Sequence, residues 1–270
     1  AFIMWIGELI SQRGVGNGMS LIIFASIVSQ LPSQFGSSYQ VTAGQGRLGQ
    51  FVFLMVMFIL MIVGIIYVEQ GQRRIPIQFA KRVRGRKVMG GQSTYIPLKV
   101  NSAGVIPVIF ATSILFFPAL VATSLPQDNN VTAAIRNWID INLANSQGTT
   151  WFYVFFLGIL IIFFTYFYTT IQFDPVRQSD MIRRQGGFIP GVRPGISTTN
   201  YLSHIINRIT LPGSVFLASV AVLPSIASVI WDIPLGFSGI SILITVGVAL
   251  ETMKQIESQL SMRNYEGFID

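Results

Sequence analysis

Few residues of this chain have types and spacing suited to chemistry. The first to consider is the glycine run Gly14-Val15-Gly16-Asn17-Gly18, which superficially resembles a phosphate loop. It lacks the Lys-Ser/Thr that such a loop needs to neutralise phosphate and hold magnesium. It reads instead as a tight turn between two helices, and no nucleotide site is visible. With no cysteine in the chain, a disulfide scaffold, a zinc-thiolate site, an iron–sulfur cluster and a cysteine nucleophile are excluded. His204, the only histidine, reads as a surface group beside an apolar helix face. No nucleophile elbow and no paired carboxylates appear. The sequence is therefore read as a non-enzyme that needs no cofactor.

The residues that remain are cations. The stretch 69–101 holds eight Lys and Arg: Arg73, Arg74, Lys81, Arg82, Arg84, Arg86, Lys87 and Lys99. Ile75 to Val83 alternates apolar and polar, which predicts a β-hairpin with its tip at Arg84-Gly85-Arg86. So many positive charges on one protrusion would attract a polyanion such as ribosomal RNA through its phosphates. The alternative is that they only orient the chain in a membrane, and the residues alone leave both readings open. A second stretch, Gly186-Gly187-Phe188-Ile189-Pro190-Gly191-Val192-Arg193-Pro194-Gly195, predicts a constrained glycine–proline turn with Arg193 at its tip.

The elements that must position these loops are membrane spans. Of 270 residues, 51% are hydrophobic and 11% charged, where a soluble domain carries about 25% charged. A bilayer core of about 30 Å needs roughly 20 apolar residues of helix. Runs of that kind are Phe51–Val68, Ala103–Leu125, Trp151–Ile171 and Leu211–Ile230, with the shorter Phe237–Leu250 continuing as a helical pattern to Met262. Met19–Leu31 is short and weak, and 1–10 reads as the end of another span. The expected fold is an all-α integral membrane protein: a polytopic helix bundle of about six complete spans plus the end of a seventh. Its divisions are a span end (1–12) and a glycine turn, short span and external loop (13–50). A span with the basic hairpin (51–101) and a span with an external loop (102–150) follow. A span with the Arg193 loop (151–210) and the last two spans with a tail (211–270) complete it. Alternating the spans puts sixteen of the eighteen Lys and Arg on one side, leaving Arg47 and Arg136 on the other. The positive-inside rule makes the basic side cytoplasmic, together with the C-terminus. The short span at Met19–Leu31 is argued from this topology. Trp138, Trp151 and Trp231 fall near span ends on the opposite side, as an interfacial belt would. An amphipathic stretch is expected at Val131–Leu143. Phe58 and Phe155 are expected to face lipid. The spans hold no interior carboxylate, Glu8 and Glu251 lying near cytoplasmic ends, which disfavours an ion-coupled transporter. The chain begins inside an apolar stretch without a basic n-region, which suggests a segment of a longer protein.

The motifs GVGNGMSLIIFASIV, VEQGQRRIPIQFAKR, GGQSTYIPLKVNSAGVIPVIFA, GGFIPGVRPG and NYEGF resemble signatures of the SecY family, in that family's order and spacing. The resemblance covers essentially the whole chain. It implies a C-terminal part running from within the fourth of ten spans to the C-terminal tail, with the N-terminal half of the same protein as a partner. The implied function is a passive channel of the bacterial plasma (inner) membrane, which passes unfolded preproteins across and releases membrane segments into the lipid bilayer. Its pore ring would include Met19, Ile23, Ile109 and Ile244, Met19 departing from the more usual isoleucine. An aliphatic constriction dewets and blocks ions, yet deforms around a passing chain. The helix from Ala103 to Leu125 would flank a lateral gate, with Thr112 and Ser113 facing it or simply packing as small residues. Pro107 is expected to bend that helix by removing a backbone donor. Arg193 would engage the SecA ATPase, and Arg84, Arg86 and Lys87 would contact SecA and the ribosome. SecE is implied as a clamp and SecG as an accessory. Two other classes keep the same charge pattern: a secondary transporter of a small solute, and a membrane-anchored ribosome or motor receptor without a pore.

Overall fold

A backbone that leaves water must satisfy its N–H and C=O groups internally, and an α-helix does so within one segment. In the computed structural model of the chain, the described residues are 2–14, 16–44, 46–79, 82–84, 87–89, 93–124, 130–143, 150–231 and 237–266. For 82–84, 87–89, 93, 123, 130–131 and 262–266 the description covers the backbone alone. The helices are α1 (Phe2–Arg13), α2 (Gly18–Gly44), α3 (Leu48–Gln70), α4 (Ile106–Thr123), α5 (Asn130–Asn142), α6 (Trp151–Gln172), α7 (Pro175–Arg184), α8 (Ile196–Trp231) and α9 (Gly239–Glu266). Among the described residues, α2, α3, α6, α8 and α9 are each long and apolar enough to cross a membrane, and α4 is a shorter apolar helix.

Helix α6 shows which solvent these helices are built for. Leu157, Ile161, Thr165 and Thr169 recur every fourth residue and are buried. Phe155, Ile159, Phe163, Phe167 and Ile171 recur at the same interval on the opposite side, all between 49% and 63% exposed. A water-facing helix would carry polar residues there. Thr165 and Thr169 direct their hydroxyls to the carbonyls of Ile161 and Thr165, both at 2.7 Å, so the buried face presents no unsatisfied hydroxyl. The chain is a multi-pass membrane protein.

Four expectations change. The weak span at Met19–Leu31 runs on through Pro32 to Gly44, so most of the expected loop 32–50 is helix. Serines 26, 29, 33 and 37 there bond back to carbonyls three residues earlier, which accommodates polar residues in a helix. Helix α8 begins fifteen residues before Leu211, at Ile196. Pro107 does not bend α4, because it sits in the first turn, where a backbone N–H has no helical partner anyway. Pro118 is the proline inside that helix. Phe58 does not face lipid: it is half-buried, its ring 5.1 Å from Phe35 and 5.4 Å from Phe237. The amphipathic stretch at Val131–Leu143 is present as α5, with Arg136 and Asp140 paired one turn apart at 3.7 Å.

The chain divides into two compact units. The first comprises 1–67, 112–158 and 219–270. Its helices are fastened by aromatic contacts: Phe35, Phe58 and Phe237 form a triangle, and Phe53 meets Trp231 edge-on at 4.7 Å. Trp138 of α5 meets Phe152 of α6 at 5.6 Å. The second unit, 68–111 and 159–218, holds a three-stranded sheet of β1 (Gln72–Phe79), β4 (Ser93–Lys99) and β5 (Gly187–Phe188) in the order β4-β1-β5. Between β1 and β4 in the chain lies the ribbon of β2 (Arg82–Arg84) and β3 (Lys87–Met89).

Candidate functional site

The basic loops are built on a small packed core. In β1 the alternation predicted from sequence is realised: Ile75 and Ile77 are buried while Arg74, Pro76 and Gln78 are exposed. The inward side chains pack with Leu98 of β4, Ile182 of α7, Ile189, and Leu202 and Ile205 of α8. Strand β5 reaches β1 only because residue 187 is glycine. A Cβ there would lie 2.9 Å from Ile77, 3.1 Å from Phe79 and 3.2 Å from Ile182. On the outer face the Arg74 guanidinium lies 4.9 Å from the centre of the Tyr95 ring, a diagonal cross-strand cation–π contact.

Helix α7 is set by its start. The residue before a proline is pushed out of helical conformation, and Asp174 before Pro175 is extended at φ −94°, ψ 105°. Its carboxylate accepts from the backbone N–H groups of Val176 and Arg177, capping the helix. The Arg193 turn is then held from both ends. Buried Ser179 donates to the Gly195 carbonyl at 3.1 Å and buried Thr198 to the Arg193 carbonyl at 3.0 Å. Gly191 and Gly195 take φ of 82° and 109°, the left-handed region open to glycine. Arg193 itself is exposed on this fixed frame.

Thirteen of the chain's eighteen Lys and Arg fall in the second unit, against three carboxylates, Glu69, Asp174 and Asp180. Arg73, Arg74, Lys99, Arg177, Arg183, Arg184 and Arg193 are exposed. Such an excess creates a field suited to a polyanion. Of the hairpin-tip residues, Arg84 and Lys87 are register partners across β2 and β3, and Arg86 lies outside the described residues.

The predicted ring residues divide between the units. Met19, Ile23 and Ile244 belong to the first, Met19 and Ile23 one turn apart on α2, which packs against the α9 that carries Ile244. Ile109 belongs to the second. Met19, Ile23 and Ile109 are 41%, 45% and 47% exposed, and Ile244 is half-buried. Met19 leans over Gly7 of α1, its sulfur 2.5 Å from where a Cβ at residue 7 would stand. On α4, Thr112 is half-buried and Ser113 exposed. His204 is exposed on α8. Sequence reasoning missed strand β5, whose only signal is the pair Gly187-Phe188, and the capped helix α7, which Asp174-Pro175 announces.

The SecY family model matches residues 1–253. The protein translocase subunit SecY of Streptomyces scabiei is 49% identical over 275 residues, covering 100% of this chain and 61% of that protein. The subunit of the same name from Mycobacterium bovis is 46% identical over 277 residues, again covering 61% of that protein. A solved structure concerned with the SecY plug domain and the closed channel matches 95% of this chain and 63% of its own, with a TM-score of 0.60 and 20% identity. Another, of a protein-conducting channel, matches 95% and 62% with a TM-score of 0.58 and 18% identity. These two carry the likeness of fold. The chain thus spans 61% of the length of the curated relatives it matches, and with the family model covering nearly all of it, it belongs to the SecY family.

Proposed function

We propose that this chain is part of a protein-conducting channel subunit. In this reading it passes unfolded preproteins across the bacterial plasma membrane and releases membrane segments sideways into lipid. The observation that carries the reading is the family match over residues 1–253. Met19, Ile23, Ile109 and Ile244 form part of the pore ring. Their aliphatic side chains make a dry constriction that stops ions and yields to a polypeptide, because apolar contacts have no preferred direction. Helix α4, with Thr112 and Ser113, flanks the lateral gate. The basic loops of the second unit, within 69–101 and 172–210, are the cytoplasmic platform. Their cation excess supports docking of ribosomal RNA phosphates at Arg84, Arg86 and Lys87. The pinned Arg193 turn supports engagement by the SecA ATPase, which supplies the energy of transport. SecE clamps the assembly and SecG accompanies it. The charge distribution supports a cytoplasmic C-terminus.

The test is ion leakage from the full-length channel in proteoliposomes. Ile23→Asn with Ile244→Asn puts amides in the constriction, which then wets. Resting conductance is expected to rise at least about tenfold, since a hydrophobic constriction gates by dewetting. Unchanged conductance, with folding intact, contradicts the ring.

A further inference from the structure

Three elements converge on Asn101, the uncharged last residue of the basic stretch 69–101, which has no place in the ring or the gate. It is 6% exposed and sits where β4 ends and the turn into α4 begins. Its side-chain N–H donates to Glu69 Oε2 at 3.0 Å, on the last turn of α3. Its side-chain oxygen accepts from the Gly104 backbone N–H, also at 3.0 Å, at the entry to α4. Beside it, Val100 N–H donates to the Gly71 carbonyl at 3.0 Å and extends the β1–β4 ladder by one rung. Helix α8 closes the same place: a Cβ on Gly213 would lie 2.6 Å from the Val100 carbonyl oxygen. Gly104 has φ +64°, so the turn it makes is one that other side chains resist. A neutral amide that donates to a carboxylate and accepts from a backbone N–H has both ends committed, and neither can be released without leaving a buried polar group unpaired.

We propose that Asn101 is a positioning residue that clasps the base of the basic hairpin to the first turn of α4, so that a load bound to the hairpin is transmitted to that helix. The inference rests on the channel reading for its purpose. The path runs from β1 and β4 through the rung at Gly71–Val100 into Asn101. From there it passes on one side to Glu69 of α3 and on the other to Gly104 and α4. A hairpin tethered by chain connectivity alone could bind a partner and leave α4 where it was. One whose base is tied by a charge-assisted and a second part-buried hydrogen bond moves as a piece with the helix.

The chemistry supplies its own rescue. Asn101→Asp sets two carboxylates 3.0 Å apart and breaks the clasp. Adding Glu69→Gln restores it with the donor and acceptor exchanged, because Gln donates to Asp while Asp still accepts from Gly104. These 270 residues hold no cysteine, so with any cysteine in the rest of the full-length channel replaced by serine, Ile106→Cys gives a single fluorophore site on α4, outside the ring. In the full-length channel, 70S ribosomes are expected to shift the emission at residue 106. In N101D the shift falls at least about fivefold, as the loss of a charge-assisted bond implies. Ribosome affinity should stay within about twofold, since every Lys and Arg of the basic stretch is kept. In E69Q/N101D the shift returns. A spin-label distance between residues 78 and 106 should be narrow in the parent and in the double variant, and broad in N101D. That readout needs no ribosome, so it judges the clasp even if the docking reading fails. If N101D does not accumulate, Glu69→Ala removes the same bond with the same expected loss. A parent-like emission shift and a narrow distance in N101D would overturn the proposal, as would a double variant that stays broken. A merely structural Asn101 would lower the melting temperature in N101D and leave the emission shift of the folded protein intact.

Discussion

At Gly18 the start of α2 passes so close to α1 that a Cβ would strike the Gly7 carbonyl oxygen and crowd Ile10. The same crossing is tied by Ser11, whose hydroxyl donates to the Gly7 carbonyl and accepts from Gly18 N–H at 2.8 Å. Gly36, further along α2, has open space around it. The two glycines therefore predict opposite signs. Gly18→Ala should destabilise by about 1–3 kcal/mol through overpacking, while Gly36→Ala should stabilise by roughly 0.5–1 kcal/mol through helix propensity. Thermal unfolding of the purified protein in detergent measures both, and a neutral Gly18→Ala would mean that the helices do not cross this tightly. The glycine run was legible from sequence as a turn, because it lacked what phosphate binding requires. That one of its glycines is a contact between backbones was not legible, since closeness of helices leaves no local signature. Asn101 was invisible for a similar reason: its partners lie 32 residues back and 3 residues ahead, and only the folded hairpin base brings them together.

The sheet of the second unit sets the scale at which the cations act. Arg73, Arg74 and Lys99 are exposed on β1 and β4, whose inward residues are locked in the Ile75–Ile77–Leu98 core. Reversing Arg73 and Arg74 to Glu leaves that core untouched and withdraws two cations from any polyanion docked there. Ribosome binding by the full-length channel should weaken, and the slope of log affinity against log salt should become shallower by about 0.7–0.9 for each phosphate no longer neutralised. An unchanged slope would return these charges to orientation alone. Hairpin and spans could be read from the sequence because period-two alternation and long apolar runs are strong local signals. The boundaries of α2 and α8 could not. Residues 32–44 are polar enough to read as loop, and 196–210 look cytoplasmic, yet both stay helical because helix propagation adds one hydrogen bond for each residue fixed.

For the molecule as a whole, the proposed function requires a polypeptide to pass among these spans along a path lined by aliphatic side chains. With no cysteine among these 270 residues, and any in the rest of the full-length channel replaced by serine, such passage is directly measurable. Single cysteines at Ile23, Ile109 and Ile244 in the full-length channel are paired with one cysteine on a preprotein arrested in mid-passage. Controls stand at Leu60 and Phe155, which are 65% and 63% exposed on α3 and α6. Disulfide crosslinks are expected at all three ring positions and at neither control. Crosslinks to Arg193→Cys on the basic unit, with none at the three ring positions, would contradict such passage and leave the chain a docking platform without a path through its spans.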